Sequence, residues 1–229
     1  MRRTVRLDVS IFSTYKLVEK IDTGHSMAFV ETRIFRDPWD VDQRLNQLDL
    51  TRKGLLEARD IAMNERANAT DFHPSNAPGT FGYHHGTWAL RHHFVGERWV
   101  VDRSDGIEAI RNDSLKLKIA FCNVDLACDD EHIPKPRSEK GAGAERASGT
   151  PLFGSLPHYA PRLVGDSMLY YLMVDQNGAA ELTRPVVSGG TFFAAVERIY
   201  LSSGDDDDPA VLSEDTGPVD NFDPQVVRK

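Results

Sequence analysis

Two cysteines in 229 residues, and no apolar run longer than the seven residues Met168 to Val174, exclude several kinds of protein at once. A membrane-spanning helix needs roughly 20 apolar residues, so no segment reads as one. Cys122 and Cys128 stand six apart, which suits neither a disulfide framework nor a C-x-x-C metal or redox motif. They read as two thiols in a reducing cytosol. Near the start of the chain, Asp8 and Ser10 fall where a signal peptide would carry its apolar stretch, so a cytoplasmic protein is expected. Also lacking are a G-x-x-x-x-G-K-[ST] phosphate loop, a G-x-S-x-G nucleophile elbow, an H-E-x-x-H metal helix and any internal repeat.

What is present is the composition of a packed domain, 40% hydrophobic and 27% charged. The net charge of -8 is unevenly spread. Residues 204–229 hold eight acids, including the run Asp205 to Asp208, against Arg228 and Lys229. The expected organisation is one α+β domain over residues 1–203, close to neutral, followed by an acidic disordered tail over 204–229. The aspartate run lacks the alternating ligands and the glycine of a calcium loop.

Alternation of Val5, Leu7, Val9 and Ile11 with polar residues predicts a strand, and Met27 to Phe35 a second. Asp37 as a cap, Pro38 at the first helical position and a stripe of Val41, Leu45, Leu48, Leu55, Ala58, Ile61 and Ala62 predict a helix or helical hairpin over 38–68, broken near Thr51. Prolines 74 and 78 with glycines 79, 82 and 86 predict a long loop from Thr70 to Gly86. Trp88 to Phe94 and Arg98 to Asp102 read as a hairpin around Gly96. Leu115 to Leu126 reads as a strand with Lys116 and Lys118 facing outward, and Asp129 to Pro161 as irregular. Asn177-Gly178 between two apolar runs predicts a tight hairpin, with Pro185 at an edge or bulge, and Thr191 to Leu201 a last strand. The fold expected is a mainly antiparallel sheet with the 38–68 helical hairpin packed on it.

Two stretches carry chemistry that packing alone does not explain. Half of the eight histidines, His84, His85, His92 and His93, fall within ten residues. On a strand and its neighbouring loop, with Asp102 or Asp105, they could hold a divalent metal that activates water. The second stretch is basic and glycine-containing, with Lys135, Arg137, Lys140, Gly141, Gly143 and Arg146. Cations beside small residues suit a phosphate-bearing ligand, through charge and accessible N–H groups.

Gly165-Asp166-Ser167-Met168 resembles the nucleophile block of GDSL hydrolases, but that family's histidine lies downstream, and here the last one is His158. Val124 to Cys128 with Pro136 to Ala144, and Arg184 to Val187 with Glu197 to Leu201, resemble uncharacterised proteins carried by bacterial plasmids and phages. That resemblance implies a setting in which nucleic acid is a frequent partner. The expectation is therefore an accessory binding protein of a mobile genetic element, which engages nucleic acid or another phosphate-bearing partner through the basic loop. The alternative is a metal-dependent hydrolase or nuclease-like enzyme built on the four histidines. A third expectation is a protein partner held by the acidic tail.

Overall fold

In the computed structural model the described residues are 32–148 and 167–204. The strand expected at 4–11, the start of the run at 27, residues 149–166 and the acidic run from Asp205 lie outside them.

The elements in chain order are β1 (Arg33–Phe35), α1 (Pro38–Gln47), α2 (Arg52–Ala67), α3 (Ala77–Phe94), β2 (Val100–Asp102), β3 (Ala109–Asn112), β4 (Leu117–Asn123), α4 (Ala142–Ala147), β5 (Met168–Val174), β6 (Ala180–Ser188) and β7 (Thr191–Ser202). The strands form one seven-stranded sheet in the order β1-β7-β6-β5-β4-β3-β2. This α+β sheet is mixed, which corrects the expectation of a mainly antiparallel one: β1 runs parallel to β7, and β4 parallel to β5. The parallel pairs join strands far apart in sequence, where no tight turn marks the pairing.

The helical hairpin forms as its caps direct. Asp37 accepts a hydrogen bond from the Trp39 N–H at 3.0 Å, and the Thr51 hydroxyl accepts one from Gly54 at 3.2 Å. Leu45, Leu55, Ala58 and Ala62 then face the sheet, against Ile119, Phe121, Leu172 and Ile199. Asn177 and Gly178 close the β5–β6 hairpin, with Gly178 at φ 84°. Pro185 lies at a register shift of β6 opposite β7, a bulge rather than an edge.

The stretch expected to be a loop and then a strand is one helix, α3. Pro78 sits in its first turn, where no intrahelical N–H is missed. Its glycines answer to packing rather than to turning. A Cβ on Gly86 would stand 2.5 Å from the Phe121 ring, and one on Gly82 would stand 3.4 Å from the Ala62 carbonyl oxygen. Small residues let α3 lie directly on α2 and β4, and Asn123 secures it by donating to the Gly79 carbonyl at 2.8 Å. His92 and His93 are therefore helical residues, not strand residues on opposite faces.

β4 is central, with apolar layers on both sides. The alternation expected for Lys118 fails for that reason. Its side chain is buried, and its ammonium lies 3.0 Å from Asp102 Oδ2 and donates to Ser104 Oγ at 2.5 Å. On the face away from α1–α3, Cys122, Leu169, Tyr171, Met173 and Phe192 pack under Ile107, Ala127 and Ala144. Among the described residues no helix is long and apolar enough to cross a membrane.

Candidate functional site

β3 accompanies β4 only as far as Ala109, which pairs with Ala120. Farther along, Pro136 bridges Val124, Arg137 donates its N–H to Asn123 and Asp125 donates to Lys135, both at 3.0 Å. Around this change of partner lies a cavity of about 170 Å³. Ala120, Phe121 and Tyr171 contribute from the sheet, Tyr83 from α3, and the segments Asp105–Glu108 and Ser138–Gly141 from the two loops.

Lys140 reaches this cavity because its loop is fastened to the β6–β7 turn. Its N–H donates to the Gly190 carbonyl at 2.8 Å, and Gly190 (φ 76°) donates to Glu145 Oε1 at 3.3 Å. The Lys140 ammonium sits 5.2 Å from the Tyr171 ring centre and 5.7 Å from that of Phe192. Beneath them, burial pushes the Cys122 thiol upward, and the neighbouring Lys140 charge opposes that only in part. Burial also raises the Tyr171 phenol, and burial together with the Glu108 charge raises Tyr83. Both phenols therefore stay protonated at neutral pH and can donate a hydrogen bond.

The opposite wall is strained and acidic, but its acids are held. Asp105 adopts φ 58°, unusual for a residue with a side chain, and Gly106 follows at φ 71°. Gly143 of α4 packs so tightly on the Asp105 carbonyl that no Cβ would fit there. Asp105 pairs with Arg146 at 3.6 Å and Lys118 at 3.8 Å, and Glu108 pairs with Arg91 and, at 3.4 Å, with Arg103. The Arg91 hydrogen bond, despite some burial, draws the Glu108 carboxyl below its usual range. Glu139, the third acid, also lines the cavity. Among the lining residues Lys140 thus stands beside three carboxylates, of which Asp105 and Glu108 are paired with neighbouring cations.

The six residues of the basic stretch take different positions. Lys140 and Gly141 line the cavity, Gly143 supports the Asp105 wall and Arg146 pairs with it. Arg137 donates its Nε to the Val124 carbonyl at 3.3 Å, while exposed Lys135 uses its N–H on Asp125 Oδ1 at 2.7 Å. Tyr171, Glu108 and the ionic role of Asp105 escaped the sequence reading. Only the Asp105-Gly106 turn pair signalled a special backbone there.

The four histidines do not come together. His93 Nδ1 lies 3.3 Å from Glu57 and His85 Nε2 3.7 Å from Glu65, both on α2. His92 stacks on Trp88 with ring centres 4.8 Å apart and an 8° tilt, and His84 meets Tyr83 edge-on. His84, His85 and Trp88 line a second, more open groove of about 480 Å³ with Ile61 and Glu65. Asp102 is engaged with Lys118, Ser104 and Arg111 instead of with a histidine. Among the described residues no three His, Cys, Asp or Glu side chains gather to hold a metal ion. Set against protein-family models, curated proteins and solved structures, the chain finds no match in any of the three.

Proposed function

We propose that the protein binds a phosphate-bearing partner, with nucleic acid as the favoured one, by admitting a phosphoryl group beside Lys140. The observation that carries this reading is that Lys140, half-buried, lines the cavity with its ammonium over the neighbouring rings of Tyr171 and Phe192. A lysine that serves only solubility stays in water. The cavity is smaller than the roughly 300–1,000 Å³ of sites that enclose whole small molecules, so it suits one charged group of a larger partner. Tyr83 and Tyr171, kept protonated, can donate to phosphoryl oxygens, and the cations paired with Asp105 and Glu108 reduce the repulsion those acids would exert on an anion beside Lys140. Exposed Lys135 and Arg137, earlier in the same segment, supply further cations.

The test is a salt titration of oligonucleotide binding. Affinity should fall linearly on logarithmic axes, and Lys140→Ala should flatten the slope by about 0.7 for a single strand. Absence of binding at low ionic strength, or a slope indifferent to Lys140→Ala, overturns the proposal.

A further inference from the structure

We infer that the outer ridge of α3 is a stacking surface for the bases of a single-stranded nucleic acid whose backbone is held at Lys140. The inference rests on the phosphate reading above and names the form of partner.

α3 holds no aspartate or glutamate along its 18 residues, yet carries Arg91, four histidines, Tyr83 and Trp88. Carboxylates facing a polyanion would repel it; α3 presents none, and Glu65 of α2, the acid that lines the groove, faces His85 at 3.7 Å. The exposed positions on this helix include large aromatics: Trp88 is 53% exposed and Tyr83 38%. Indoles normally bury most of their surface. Trp88 is preorganised instead by the parallel imidazole of His92, 4.8 Å away, and it lines the groove.

α3 contributes side chains to both cavities. Tyr83 lines the Lys140 cavity, while His84, His85 and Trp88 line the groove between α2 and α3. Trp88 follows Tyr83 by five positions, about 7.5 Å along the helix axis and about 140° around it. A strand anchored at Lys140 therefore passes over the ridge of α3 to lay a base on Trp88. Bases paired inside a duplex cannot present their faces to a side chain, whereas every base of a single strand can.

The experiment compares a labelled twelve-nucleotide thymidine strand with an abasic strand of the same length, by fluorescence anisotropy on the full chain. Both carry the same phosphates, and only one carries bases. The thymidine strand should bind about tenfold tighter. Trp88→Ala should abolish that preference, while leaving affinity for the abasic strand and the salt slope unchanged. Retention of the fold by Trp88→Ala is checked by circular dichroism, and Trp88→Phe should restore part of the preference. Equal binding of the two strands by the unmodified protein, or an equal loss for both strands in Trp88→Ala, overturns the stacking surface and leaves the phosphate site standing. Binding of neither strand overturns both.

Discussion

Gly86 of α3 faces the ring of Phe121 on β4 so closely that a methyl group at position 86 would stand 2.5 Å from Cε2. That single approach fixes how near α3 lies to the sheet, and thereby where Tyr83 stands at the cavity beside Lys140. Gly86→Ala gains helix propensity, about 1 kcal/mol, but overpacks a fully enclosed aromatic ring, at about 1–3 kcal/mol. The expected net loss is up to about 2 kcal/mol in urea unfolding. Phe121→Leu in the same chain should recover part of it, as a double-mutant cycle would show.

The same contact explains why α3 was illegible from the sequence. Glycines four apart beside prolines carry the signature of a loop, and only the position of Phe121 and the Ala62 carbonyl reveals that they make room for neighbours. The hairpin at Asn177-Gly178 and the caps at Asp37 and Thr51 were legible because their causes are local. Of the cavity, Lys140 and Gly141 were found through charge and composition. Tyr171 and Glu108 were not, since the first reads as an ordinary core residue of β5 and the second joins through Arg91, 17 residues away.

Arg198 of β7 and Glu181 of β6 form an ion pair withdrawn from water, with side chains 1% and 0% exposed and 2.7 Å between them. Arg198 also donates to the carbonyls of Asp129 at 2.7 Å and His132 at 3.0 Å, so it pins the start of the loop that leads to Lys140. Removing one partner leaves the other charge buried and unpaired, which costs about 3–5 kcal/mol. Arg198→Met should therefore lower stability by that amount. Glu181→Gln combined with Arg198→Met should be less destabilised than the sum of the single changes, measured by denaturant midpoints at constant m-value.

Asp102 contributes to the acid limb of stability, together with Glu108 and Asp125, whose carboxyls are also lowered. Burial alone would raise its carboxyl, but hydrogen bonds from Lys118 and Ser104 and the charges of Lys118 and Arg111 outweigh it, and the group titrates below its usual range. A carboxyl depressed in the folded state contributes stability above its unfolded pKa, near 3.9, and loses it as pH falls through the folded value. Unfolding free energy should thus fall below about pH 4. Asp102→Asn should be less stable at neutral pH and should show a shallower decline there. An identical acid limb in the variant would contradict the assignment.

Both thiols should be silent in the native protein. Burial is the main cause that lifts Cys128, pushed up to about 12, and the adjacent Glu181 charge adds to it; its Sγ donates to the carbonyls of Ala180 at 3.2 Å and Ser202 at 3.3 Å. Cys122 is buried beneath Lys140, and its thiol is raised as well. Since the thiolate is the reactive form, alkylation at pH 8 should be slow at both positions and rapid for both once denaturant unfolds the chain. Lys140→Ala separates the two: it opens the cavity over Cys122, and although it also removes the cation that favours that thiolate, the gain in access should raise labelling at Cys122 alone. Mass spectrometry of the alkylated peptides reads this directly. Labelling of Cys128 ahead of Cys122 in that variant would mean that the cavity does not lead to the thiol beneath Lys140.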